Sequence, residues 1–183
     1  MEMEFEKRAK IQNPEKVIKA LQALGATILE EKKQIDTYYG SIELYKKLGH
    51  SFVARIRKSG DKYFYAIKTA KPKKDGFWEE YETTITDPKL FESMLIAMGL
   101  DKIIQVEKKR VSLKYENITA NIDAFKNRGA FIEIELITDK KEDDKLIQIM
   151  EKIGISKNNV INIGYISLFL KEEKSKFAKY VKN

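Results

Sequence analysis

The stretch Glu4-Phe5-Glu6-Lys7-Arg8-Ala9-Lys10 sets the reading of the whole chain. Side chains alternate between the two faces of a β-strand, so an extended backbone puts Glu4, Glu6, Arg8 and Lys10 on one face. Glu2 lies in the same phase, and the acidic pair can be counted as Glu2/Glu4 or Glu4/Glu6. The second count places Arg8 and Lys10 directly after the pair. The pattern recurs at Glu80/Glu82 and Glu133/Glu135, and as basic pairs at Arg55/Arg57 and Lys108/Arg110. A solvated strand face gains more from mixed signs than from like-charged neighbours. Repeated like-charged pairs therefore predict a charged interior face that binds metal and polyanion.

Around these pairs the chain alternates strands with short helices. Asn13-Pro14 and Asp87-Pro88 each join an N-cap residue to a proline suited to the first helical position. Val17, Leu21 and Leu24 then mark an apolar face up to Gly25; Leu90, Met94, Leu95 and Met98 do the same up to Gly99. Another helix is predicted from about Asp143, through Leu146, Ile149, Met150 and Ile153, to Gly154. Glu31-Lys32-Lys33 and Glu107-Lys108-Lys109 follow the first two helices at similar offsets. This suggests one domain over 1–183, with an internal duplication of about 1–86 and 87–183.

Alternation predicts strands at 5–11, 34–39, 52–57, 63–68, 79–85, 106–115, 119–124 and 130–137, with Ser59-Gly60-Asp61 as a hairpin turn. Residues 71–76 read as a solvated loop and 165–181 as a C-terminal helix. The expected fold class is α+β: an eight-stranded antiparallel barrel, closed to remove its edges, with a charged interior and amphipathic helices over its apolar outer face.

Composition narrows the chemistry. A hydrophobic content of 43% over 183 residues is enough for a substantial core. The chain contains no cysteine, which excludes disulfides and thiolate metal sites. His50 is the only histidine, so a histidine-rich zinc site or a Ser-His-Asp triad would depend on it alone; beside Gly49 it reads as a loop residue. No run is long and apolar enough for a transmembrane helix, and the N-terminal residues are too charged for a secretory signal, so a cytoplasmic protein away from membranes is expected. The net charge of +7 favours anionic partners. Carboxylate oxygens are the hard ligands that Mg²⁺ or Mn²⁺ take, and Arg and Lys opposite them would neutralise a triphosphate. Phosphoryl transfer asks the protein mainly for positioning and electrostatics, which such an interior supplies.

The ordered set of motifs resembles the CYTH superfamily of triphosphate tunnel metalloenzymes, and its class IV adenylyl cyclase branch in particular. Glu4-Phe-Glu6-Lys-Arg8 fits the family's opening E-x-E-x-K with arginine in the lysine place. Gln34-Ile-Asp36-Thr-Tyr38-Tyr39 carries the cyclase-like likeness. Ala54-Arg55-Ile-Arg57, Lys68, Glu80-Tyr-Glu82, Lys108-Lys-Arg110, Asp123 and Gly129-Ala-Phe131-Ile-Glu133-Ile-Glu135 complete the series. The resemblance implies Mg²⁺ or Mn²⁺ held by Glu4, Glu6, Asp123, Glu133 and Glu135. It also implies phosphates gripped by Arg8, Lys10, Arg55, Arg57, Lys68, Lys108 and Arg110, with Glu82, Asp36 and Tyr38 in support. Of the middle acidic pair, only Glu82 is given an inward role, and no catalytic base is assigned.

Arg8 departs from the signature lysine, and Gly164-Tyr165 stands where the family often has Ser-Tyr. The implied partner is ATP or a similar triphosphate-bearing small molecule. Nucleic acid is not the expected partner, and a homodimer is compatible with the sequence. The implied reaction converts ATP to cyclic AMP and pyrophosphate. The alternatives are hydrolysis of an organic or inorganic triphosphate, such as thiamine triphosphate or tripolyphosphate, and a non-catalytic module binding RNA or polyphosphate.

Overall fold

Period-two and period-3.6 patterns resolve, in the computed structural model, into strands and short helices in near-regular succession. They are β1 (Met3–Ile11), α1 (Pro14–Ala23), β2 (Thr27–Gly40), α2 (Ile42–Leu48), β3 (Phe52–Ser59), β4 (Lys62–Ala70) and β5 (Trp78–Ile85). There follow α3 (Pro88–Ala97), β6 (Asp101–Tyr115), β7 (Ile118–Phe125), β8 (Gly129–Thr138), α4 (Asp143–Lys152), β9 (Val160–Ile161) and α5 (Tyr165–Glu172). The structure describes residues 3–50, 52–70, 78–138 and 143–181, the side chains of 3–5, 70, 78, 79, 137, 138 and 143 excepted. The loop expected at 71–76 lies outside the described residues.

Helix starts follow the sequence signals. Asn13 Oδ1 accepts from the Lys16 amide at 3.0 Å and Asp87 Oδ1 from the Leu90 amide at 3.0 Å, with proline at the first position of each helix. Caps of this kind contribute about 1 kcal/mol each. Helix α2 is an addition to the expected elements. Ser41 caps it, and Gly49 ends it in the left-handed region at φ 70°, where a side chain would be strained. The expected C-terminal helix is shorter than its apolar pattern suggested: α5 stops at Glu172, Lys174 turns at φ 53°, and a 3-10 turn follows at Lys176–Lys179.

The chain forms two compact units, Met1–Lys33 with Lys108–Asn162, and Gln34–Glu107 with Ile163–Asn183. Strands β2 and β6 are long enough to give one end to each. In the first unit, β1 pairs antiparallel with β8, β8 with β7, and β7 with β6. One face of these strands carries Ala9, Ile11, Ile118, Ala120, Ile122, Ile132, Ile134 and Leu136, all buried. Helix α1 packs on β7 and α4 on β1, burying Leu21, Leu146 and Met150. Fully burying a leucine contributes roughly 1.5–3 kcal/mol.

In the second unit, β3 pairs antiparallel with β2 and β4, and β4 with β5. Tyr39, Ala54, Ile56 and Ile85 form a core with Leu95 of α3 and Leu100, and Leu44 and Phe91 pack against it. Alternation then sends Arg55, Arg57, Lys68 and Asp36 to the opposite face. Each unit thus has a helix-covered apolar face and a charged one.

The hydrogen-bonded order is β5-β4-β3-β2-β6-β7-β8-β1-β9. It differs from the expected closed eight-stranded ladder in having a ninth, two-residue strand. That strand takes the free edge of β1 at Arg8 and Ala9. Among the described residues no hydrogen-bonded ladder closes the sheet.

Candidate functional site

The charged face of the first unit is assembled by strand register. Arg8 stands directly opposite Glu133, Glu6 opposite Glu135, Asn121 opposite Glu133, and Arg110 opposite Asp123. Arg8 Nε donates to Glu133 Oε2 at 2.6 Å, and its terminal nitrogen pairs with Glu6. Arg110 donates to Asp123 through Nε at 2.7 Å and Nη2 at 2.6 Å, with a longer 3.4 Å contact to Glu133. Lys108 Nζ adds a 3.1 Å bond to Asp123. Asp123 and Lys108 are almost wholly buried, at 0% and 4% exposure. Ions so placed are tolerated because each is paired and hydrogen-bonded.

The same face holds two features not singled out from sequence. Ser112 Oγ donates to Asn121 Oδ1 at 2.7 Å, a buried polar pair in phase with Arg110 and Asp123; that shared phase was the available signal. Phe125 and Phe131 meet edge to face at 5.7 Å, with Lys108 Nζ 5.4 Å from the Phe125 ring and Lys10 Nζ 5.9 Å from the Phe131 ring. Lys10 is exposed and reaches over an aromatic, where the other cations of this face are ion-paired. Glu4 lies on β1 in register with Ile137, but its side chain is outside the described residues.

The charged face of the second unit follows the same logic. Arg57 donates to Asp36 through Nε at 2.6 Å and Nη2 at 2.8 Å. Tyr38, next in phase, sits with Oη 3.4 Å from Asp36 Oδ2. Arg55 Nη2 bonds Glu80 at 2.8 Å and Glu82 at 2.7 Å, and Lys68 Nζ bonds Glu80 at 2.7 Å. Glu80 is therefore on the charged face with Glu82, contrary to the inward role given to Glu82 alone. The E-x-E phase already carried that information. His50, by contrast, sits in the turn after α2 with Nδ1 3.2 Å from the Leu48 carbonyl, as a loop residue would.

Electrostatics on this face are strongly biased. Burial pushes the Tyr38 phenol up, and the Asp36 carboxylate adds to it, so Tyr38 is a neutral hydroxyl at all ordinary pH. Burial alone would weaken the charge on Arg55, but the carboxylates of Asp36, Glu80 and Glu82 more than offset it and the guanidinium is held firmly protonated. Burial likewise opposes ionisation of Glu80, yet Lys68 and Arg55 carry its carboxyl below the usual range.

Among the described residues no three acidic side chains converge into a ready-made metal cage. The donor set nonetheless suits a hard cation. Glu6, Glu133 and Glu135 present carboxylate oxygens on neighbouring strands of one face, and Mg²⁺ is commonly held by one or two carboxylates plus phosphate oxygens of the substrate.

With this geometry in place, residues 2–165 match the CYTH domain, and the chain belongs to that family. A Methanocaldococcus jannaschii protein named "Putative adenylate cyclase MJ0240" is 30% identical over 173 residues, covering 91% of this chain and 98% of that one. Among solved structures, the PH1012 protein from Pyrococcus horikoshii OT3 superposes with a TM-score of 0.77 at 23% identity, covering 92% of this chain and 99% of that one. A Hippeastrum protein named a "putative adenylyl cyclase" and described as having a dominant triphosphatase activity has a TM-score of 0.63 at 16% identity, with coverage of 96% and 97%. These two structures share the fold.

Proposed function

We propose that the protein is a divalent-metal-dependent enzyme acting on a triphosphate, by the class IV adenylyl cyclase reaction that converts ATP to cyclic AMP and pyrophosphate. The observation that carries this reading is the charged face of each unit: two arginines and a lysine, each held by carboxylates, opposite an apolar face packed with helices. Family membership and the cyclase name of the M. jannaschii relative support it.

Arg8, Arg110 and Lys108 on one face, and Arg55, Arg57 and Lys68 on the other, are suited to phosphate oxygens. Arginine forks match such oxygens bidentately, and the paired carboxylates keep the forks oriented before substrate arrives. Phosphate oxygens that took the Arg8 donors would release Glu133 and Glu6 to accept a divalent cation, with Glu135 beside them. Bound there, Mg²⁺ or Mn²⁺ would neutralise phosphate charge and stabilise the leaving pyrophosphate. In the cyclase reaction the ribose 3′-oxygen attacks the α-phosphorus in line and its bond to pyrophosphate breaks. The residues of this chain hold the phosphates and supply positive charge as that bond opens.

The same cations would serve hydrolysis at the terminal phosphorus of a triphosphate, and a dominant triphosphatase activity is described for the Hippeastrum protein. Incubation with ATP and with tripolyphosphate, under Mg²⁺ or Mn²⁺ and under chelator, separates the readings. Cyclic AMP with pyrophosphate is the expected product, and orthophosphate would make the protein a triphosphatase. If neither substrate turns over and RNA binds without metal, the non-catalytic reading replaces both.

A further inference from the structure

The two charged faces contain the same device. Asp36, 1% exposed, accepts Nε and Nη2 of Arg57, and Asp123, 0% exposed, accepts Nε and Nη2 of Arg110. In both cases aspartate and arginine are direct partners across adjacent antiparallel strands, and the arginine is the second base of a pair, Arg55/Arg57 or Lys108/Arg110. Each carboxylate has a further donor: Tyr38 Oη, two residues along its own strand, at 3.4 Å for Asp36, and Lys108 Nζ, two residues from Arg110, at 3.1 Å for Asp123.

We infer that Asp36 and Asp123 are positioning residues, each fixing one arginine fork edge-on for a phosphate group. The chemistry favours this over metal ligation by Asp123. Both Asp123 oxygens already accept short charge-assisted bonds, and a cation there would have to displace a guanidinium from a fully buried partner. A guanidinium has five N–H groups. Holding it through Nε and Nη2 fixes the plane of the fork and the direction of its other N–H groups; Arg110 Nη2 also lies 3.4 Å from Glu133, a contact an incoming anion would have to exchange with, and both arginine side chains keep 15% exposure. Fixing the fork in advance removes the rotamer entropy that a free arginine loses on binding an anion. The inference rests on the triphosphate reading for the identity of that anion, and on the structure alone for the orientation of the arginines.

The test compares Asp36→Asn, Asp123→Asn, Arg57→Lys, Arg110→Lys and the two same-unit double variants. Asparagine keeps the shape but cannot accept at both positions; lysine keeps the charge but has no fork. Affinity for inorganic tripolyphosphate is expected to fall about tenfold or more in each single variant. Each double variant should be within about twofold of its arginine single, because the aspartate acts through the arginine. The metal concentration for half-maximal turnover should not move in Asp123→Asn. Losses that multiply, or a metal requirement raised about tenfold with tripolyphosphate affinity intact, would overturn the inference in favour of a purely structural or a ligating aspartate. Side-chain ¹⁵N spectra judge orientation without substrate: the Arg57 and Arg110 Nε–H signals should be protected from exchange and lose protection in the Asn variants. If the wild type neither binds nor turns over any triphosphate, the proposed function fails while these spectra still decide the positioning. Should an Asn variant not fold, the matching Arg→Lys variant carries the same expectation.

Discussion

Arg8 and Glu133 face each other across the β1–β8 ladder, and the Arg8 Nε bond to Glu133 Oε2 is 2.6 Å long. The same guanidinium pairs with Glu6, so one cation separates two carboxylates on a single face. Arginine stays protonated throughout the accessible pH range, which rules out proton acceptance at this position. Arg8→Gln should lower kcat/KM for the triphosphate about tenfold or more, the usual scale for losing hydrogen bonds to a charged group. Arg8→Lys, which keeps the charge and matches the family's opening motif, should lose much less. Steady-state turnover of both variants checks this, and equal losses would mean that charge at position 8 is unimportant.

Acid should expose a different pair. Glu80 lies between Arg55 at 2.8 Å and Lys68 at 2.7 Å, and despite the opposing effect of burial those cations lower its pKa and favour the ionised form. A carboxyl whose folded pKa is depressed adds stability that is fully present above its unfolded value, near 4.5, and is lost as pH falls through the folded value. Thermal stability should therefore decline as pH is lowered below about 5, and Glu80→Gln should flatten part of that decline. An identical acid slope in wild type and variant would remove Glu80 from the account. Glu80 is partly exposed, at 26%, so added salt should weaken the effect.

These pairs show what the sequence could and could not convey. Period two placed Arg55, Arg57, Lys108, Arg110, Glu133 and Asp123 on charged faces, because alternation depends only on local backbone geometry. Partner choice depends on register, which is set by turn lengths and by packing on the other face. Thus Arg57 meeting Asp36 and Arg55 reaching Glu80 could not be read from spacing. The prolines and glycines marked α1 and α3 because capping is local. Helix α2 was missed because only Tyr45 of its seven residues is buried, leaving little apolar periodicity between Ser41 and Gly49. Strand β9 has only two residues, too few for any alternation.

Gly40, the last residue of β2, offers a stability test. A Cβ at this position would lie 1.8 Å from Tyr45 Oη and 2.7 Å from Ile103 Cδ1. Tyr45 is itself pinned by ring contacts with Phe52 at 5.3 Å and Tyr180 at 6.3 Å, so it has little room to yield. Gly40→Ala should destabilise by about 1–3 kcal/mol, the range for overpacked cores, with no specific effect on metal dependence. Denaturant unfolding gives the number, and a loss below about 0.5 kcal/mol would show that the tyrosine moves aside freely.

Arg55 reaches β5 only because β4 is low where it crosses. Arg55 on β3 is the direct partner of Ala66 on β4, and Ala66 is the direct partner of Glu82 on β5. All three share a face, and Ala66 is 1% exposed beneath the guanidinium that bonds Glu80 and Glu82. A larger side chain at 66 would occupy the space of the arginine's arm and leave a buried cation away from its carboxylates, an arrangement more costly than the lost contacts alone. Ala66→Leu should therefore lower both stability, by about 1–3 kcal/mol, and triphosphate affinity. Ala66→Ser, nearly the same size, should preserve both. Parallel unfolding and tripolyphosphate titrations decide the matter: if Ala66→Leu binds like wild type, the Arg55 arm is not held over β4 as the register implies.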